Sequence, residues 1–181
     1  MKKLLLTLSL LSTIHLANAE KFFTKSANIT FDASGPLENI HSKNGSVAFL
    51  LNTETGDIQT SAAVKSFVFD KQLMQEHFNE NYMESEKFSK STFKGTITNN
   101  SDINYKKDGT YTAKVSGKLT MHGVTQDITT TAKIIVSGGR VQVEAQFNIN
   151  CSDYGISIPG AVKEKVSNKV KISLKGNLEK M

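Results

Sequence analysis

The side chains able to do chemistry are few and dispersed. His41, His77 and His122 lie in separate segments, and the one cysteine, Cys151, extends a run of alternating apolar residues. Nucleophilic hydrolysis would call for a serine in a G-x-S-x-G elbow, where a sharp strand-to-helix turn exposes the hydroxyl, and no such segment occurs. Cys151 continues an inward strand face rather than opening a helix, where a thiolate would be favoured. The histidines and carboxylates also lack the short spacings with which proteins hold a metal, although distant segments could still converge. The expectation is a protein that is not an enzyme, with no cofactor and no metal.

Composition narrows the partners. The 181-residue chain carries a formal charge of +5, nearly all of it from scattered lysine, and Arg140 is its one arginine. Nucleic-acid readers concentrate arginine and set aromatic rings among it, so this mild basicity reads as solubility, with no nucleic-acid partner. Lys2 and Lys3, the apolar stretch Leu4 to Leu16 and the small residues of Ala17-Asn18-Ala19 have the form of a secretory signal over residues 1–19. The expectation is cleavage before Glu20, which leaves a charge of +3 and one domain over 20–181, periplasmic or secreted. No later run is apolar enough for an integral membrane anchor, and no cysteine follows the signal to take a lipid. A lone cysteine cannot crosslink its own chain, so packing and hydrogen bonds must hold the fold.

The elements that would position any site are strands. From Tyr111 to Met121 the odd positions are Tyr, Ala, Val, Gly, Leu and Met, while the even positions are threonine, lysine and serine. A two-residue turn at His122-Gly123 sets Met121 opposite Val124, Gly117 opposite Ile128, Ala113 opposite Ala132 and Tyr111 opposite Ile134. Gly138-Gly139 makes the next turn and sets Val136 opposite Val141, Ile134 opposite Val143, Ala132 opposite Ala145, Thr130 opposite Phe147 and Ile128 opposite Ile149. A slip of one residue would turn each strand inside out, so the agreement of two successive turns specifies a meander.

The remaining strands follow the same rhythm. A turn at Glu54-Thr55-Gly56 pairs Leu51 with Ile58, Phe49 with Thr60 and Val47 with Ala62. Asn28 to Ala33 supplies an earlier strand, and Val170, Ile172, Leu174, Gly176 and Leu178 alternate in the last. Asp108-Gly109 suits a hairpin with glycine in the left-handed position, joining the strand around Phe93, Gly95 and Ile97 to Tyr111 by way of Ile103. The count of about eight is the number at which an antiparallel sheet closes into a barrel just wide enough for side chains or one small ligand. Two segments break the rhythm. Asp70 is placed to cap a helix with Leu73, Met74, His77, Phe78, Asn81 and Tyr82 on one face, and Pro159 to open another with Val162 and Val166 inward.

Four stretches carry a resemblance. The helix segment from Leu73 to Ser85, then Phe93-Lys94-Gly95, then Gly117 to Thr125 with its His122-Gly123-Val124-Thr125 turn, and Asp153 to Pro159 together resemble the YceI family, in the same order. The likeness spans nearly all of the chain after the signal. It implies an all-β fold, an eight-stranded antiparallel lipocalin-like barrel with one or two short helices. It also implies a periplasmic protein that binds a long-chain isoprenoid or other amphipathic lipid in an elongated internal pocket; the alternatives are a hydrolase or isomerase acting on such a lipid and an interaction module with a filled core. One departure is Ser89, where the family often has proline after the aromatic at Phe88.

Inward glycine and alanine at Gly95, Ala113, Gly117, Ala132 and Ala145 either leave room for a channel or merely relieve crowding in a filled core; the resemblance favours the channel. The expected ligand-binding wall is Phe67, Phe69, Leu73, Phe78, Phe93, Val115, Leu119, Phe147 and Ile149, each of which a filled core would also demand. His77 and Asn81 match the family's helix and would meet a polar head group, or else His77 orders the loop through the backbone. His122 reads as a turn residue that tolerates left-handed geometry. A strand left unpaired at the barrel seam would support a homodimer.

Overall fold

The structure, a computed structural model, describes residues 20–181; the signal expected over 1–19 lies outside them. Eight strands form a closed antiparallel barrel in which each pairs with its neighbours in sequence. They are β1 (Lys21–Ser34), β2 (His41–Asn52), β3 (Asp57–Ala63), β4 (Lys90–Ile97), β5 (Gly109–Met121), β6 (Val124–Ser137), β7 (Arg140–Asn150) and β8 (Val166–Lys180). β1 pairs with β8 and closes the seam, so the edge expected there for a homodimer is already occupied.

Turn chemistry sets the register. His122 and Gly123 both hold positive φ, at 50° and 75°, which matches the twist of the flanking strands. β5 and β6 then pair in the expected register from Met121 with Val124 to Tyr111 with Ile134, and continue two pairs further to Gly109 with Val136. Gly56 turns the β2–β3 hairpin at φ 77°, with Leu51 opposite Ile58 and Phe49 opposite Thr60; the ladder stops at Ala48 with Ser61, short of Val47 and Ala62.

Three local expectations change. The Asp108-Gly109 hairpin is absent, because β4 ends at Ile97 and a 3-10 turn over Asn100–Asp102 leads a loop across the barrel end. Gly109 simply opens β5, and the Asp108 carboxylate accepts from the Gly138 amide at 3.1 Å. The helix α1 (Gln72–His77) begins after Lys71 without any side-chain cap, so Asp70 does not cap it. It widens into a π turn over Phe78–Tyr82, with Met83 N–H donating to the Phe78 carbonyl at 2.9 Å. Lastly, β6 and β7 pair from Ser137 with Arg140 only as far as Ala132 with Ala145. The expected partners Thr130 with Phe147 and Ile128 with Ile149 are not joined, although both strands run on.

The two poles of the barrel differ. At one, the short connections at residues 53–56, 98–108 and 138–139 meet the chain ends, where Lys180 Nζ lies 2.6 Å from Glu20 Oε1. Leu51, Ile97, Ile103, Ile134, Val136, Val141 and Leu178 fill this pole, each contributing about 1.5–3 kcal/mol by leaving water. The other pole carries α1, the π turn, the β1–β2 connection and two 3-10 turns, Cys151–Tyr154 and Gly160–Val162. The second of these is a three-residue turn after Pro159 that ends at Val162, while Val166 opens β8, and both valines line the cavity.

Candidate functional site: an apolar cavity under the helix

The barrel is hollow toward the helical pole. A cavity of about 570 Å³ lies beneath α1, within the size range of small-molecule sites. All but one of the expected ligand-binding residues line it: Phe67, Phe69, Leu73, His77, Phe78, Phe93, Val115, Leu119, Phe147 and Ile149. Asn81 does not, and it is exposed. The π turn explains this, since a five-residue hydrogen-bond repeat retards the phase of the helix. Tyr82 takes the lining position instead.

An aromatic cluster roofs the cavity. Phe31 stacks on Phe78 at 5.5 Å between ring centroids and tilts against Phe67 at 5.5 Å, while Phe69 meets Phe78 at 5.0 Å. Such separations suit offset or edge contacts and contribute roughly 0.5–1.5 kcal/mol per pair beyond burial. Sequence reading missed Phe31. Its signal was the alternation of Ile29, Phe31 and Ala33, all of which line the cavity.

The inward small residues do a different job from the one expected. Gly95 and Gly117 face each other across β4 and β5, and a Cβ on Gly117 would lie 2.5 Å from Gly95 Cα and 2.6 Å from Phe93 Cζ. The pair lets two backbones approach while the Phe93 ring covers them. Ala113 and Ala132 are buried within the large core cluster. Of the five, Ala145 borders the cavity.

Charged groups are sparse and placed at the rim. Exposed His77 and Lys165 border the opening, and Lys71 Nζ lies 3.1 Å from Glu38 Oε1 beside them. Within the wall, Thr60, Thr92 and Thr130 contribute hydroxyls. Cys151 is half-buried on the lining, and burial pushes its thiol up from the ordinary value of 9.0. The histidines stay apart: His41 lies 3.6 Å from Asp32, and His122 contacts Glu84. No cluster of three or more histidine, cysteine or carboxylate groups suited to a metal occurs among the described residues.

His122 is more than a turn residue. Its Nε2 lies 2.7 Å from Glu84 Oε2 and its Nδ1 lies 3.1 Å from the Tyr154 carbonyl oxygen. It therefore ties the segment after the helix and the turn after β7 to the β5–β6 hairpin. Its ring also packs on Phe88 at 4.7 Å, and Phe88 leaves no space for a Cβ at Gly123.

The eight-stranded barrel is thus closed, plugged at one pole and hollow at the other. The YceI-like domain model matches residues 13–178, and the chain belongs to that family. Solved structures share the fold at low identity. A polyisoprenoid binding domain from Saccharophagus degradans, implicated in plant cell wall breakdown, aligns with a TM-score of 0.77 at 14% identity, covering 90% of this chain and 99% of its own. BcnA from Burkholderia cenocepacia aligns with a TM-score of 0.68 at 14% identity, covering 84% and 95%. Among curated proteins, none matches the chain.

Proposed function

We propose that this protein binds a long-chain amphipathic lipid, most simply a polyisoprenoid, with the hydrocarbon in the cavity and the head group at the rim. The observation that carries this reading is the apolar hollow of about 570 Å³. Each methylene buried there gains roughly 0.8 kcal/mol. Some twenty carbons thus offset an association cost of about 4–15 kcal/mol with few polar contacts. The wall residues from Phe67 to Ile149 grip the tail, while His77 and Lys165 face the head. The role is binding, in the manner of a carrier or store, rather than catalysis. The polyisoprenoid binding domain that shares this fold supports the same reading. A signal over residues 1–19 would deliver the protein to the periplasm.

Mass spectrometry of organic extracts from gently purified protein tests the proposal. The expected result is one long-chain lipid per protein, lost when Ala145→Phe fills the cavity without unfolding the barrel. Extracts free of lipid, with no thermal shift on adding isoprenoid alcohols, would overturn it.

A further inference from the structure

One strand pair of the closed barrel is only partly zipped. β6 and β7 stop pairing at Ala132 and Ala145, yet β6 continues to Val124 and β7 to Asn150. Between their unjoined halves lies a cleft lined by Ile128, Thr129, Phe147, Asn148 and Ile149, with Lys169 at its margin. Ile128, Phe147 and Ile149 also line the central cavity. The cleft and the cavity therefore share an apolar floor, and the outer edges of the cleft are polar.

Its upper end is held by a different element. The 3-10 turn Cys151–Tyr154 packs against β6, where Gln126 Nε2 donates to the Asp153 carbonyl oxygen at 2.7 Å. Farther down, Thr130 Oγ1 reaches the Gln146 carbonyl oxygen at 3.4 Å, a long contact. Backbone groups that a ladder would satisfy thus face one another across a gap. The gap follows no break in the apolar alternation, since Ile128, Phe147 and Ile149 stay in phase with the paired region.

We infer that the β6–β7 cleft is a side door through which the hydrocarbon tail of a ligand passes between solvent and cavity. This rests on the binding reading above. The head of an amphipathic molecule can stay with the polar edge and Lys169 while its tail slides over Ile128, Phe147 and Ile149. Zipping the two half-strands would extend the existing register, set Thr129 opposite Asn148, and close the passage.

A crosslink across that pair tests it. Thr129→Cys with Asn148→Cys, oxidised and checked by peptide mapping, fixes the cleft shut, because a disulfide needs Cα atoms within about 7 Å. The probe is retinol, an isoprenoid alcohol whose fluorescence rises in an apolar site, followed by stopped flow. Oxidation is expected to slow uptake and release together by about tenfold or more, with affinity little changed, and reductant is expected to restore both. A control bridge, Lys133→Cys with Glu144→Cys, joins partners that are already paired and should leave the rates alone. Where the cleft bridge does not form, Thr129→Trp with Asn148→Trp obstructs it by bulk and carries the same expectation. Rates within twofold of the reduced or unobstructed protein overturn the side door. A wild-type protein that gives no fluorescence rise overturns the binding reading itself, and the two failures are distinct.

Discussion

Glu84 and His122 are the two residues other than glycine that hold left-handed backbone among those described, at φ 43° and 50°, and their side chains meet at 2.7 Å. Two strained turns from segments far apart in sequence are locked to each other. The second ring nitrogen faces the Tyr154 carbonyl oxygen at 3.1 Å. Both atoms facing the ring are oxygen acceptors, so the imidazole bridges two separate segments.

Removing the ring should loosen the helical pole. His122→Ala deletes a charge-assisted contact from a side chain that is 13% exposed, and the expected loss is about 2 kcal/mol of stability. Urea unfolding monitored by circular dichroism measures it. A change under about half a kcal/mol would mean that the clamp is idle.

The glycine pair should be intolerant. Gly117→Ala places a Cβ 2.5 Å from both Gly95 Cα and the Lys94 carbonyl oxygen, and backbone has little freedom to retreat. Overpacking of this kind costs about 1–3 kcal/mol. The melting temperature should fall by several degrees while the fold persists; an unchanged melt would show that β4 and β5 can separate freely.

Tyr154 offers the opposite outcome. It is 1% exposed, and its hydroxyl has no hydrogen-bond partner. Burial pushes the phenol up to about 12. Such a group carries a desolvation cost of about 1–3 kcal/mol, so Tyr154→Phe should be neutral or stabilising by roughly 1 kcal/mol in thermal unfolding. A clear destabilisation would reveal an unseen partner for the hydroxyl.

Cys151 reports on the cavity. Desolvation raises its thiol, so the neutral form persists at pH values where an exposed thiol ionises. Alkylation by iodoacetamide should be slow near neutrality and still accelerating with pH above 9.0. The sign for stability follows: the buried neutral thiol favours folding below the unfolded value, and that contribution is lost as pH rises through the folded one. Retinol in the cavity should protect the thiol. Equal labelling rates with and without retinol would place the bound ligand away from this wall.

Legibility differed from element to element for physical reasons. The β5–β6 register could be read because alternation and a turn with two left-handed positions must agree, and β6–β7 could be read as far as Ala132 and Ala145. Their parting was not legible. The separated halves keep the same alternation, and the turn bonded to Gln126 beside them arrives from beyond β7. Likewise, the helix face containing His77 and Phe78 followed from a 3.6-residue period, but the switch to a π turn exchanged Asn81 for Tyr82 on the lining. Phe31 sits in an ordinary strand alternation, and only the fold brings it against the rings of Phe67 and Phe69. The glycine pair looked like free volume because sequence does not reveal that Phe93 lies across it.

Both ends of the described chain emerge at the plugged pole, joined by Lys180 and Glu20 and by the Met181 amide donating to the Lys21 carbonyl oxygen at 2.8 Å. An affinity handle or a surface tether attached at either extremity would therefore hold the molecule by its base. The helical opening would point outward, free to meet a membrane, a micelle or a receiving protein without steric interference from the attachment.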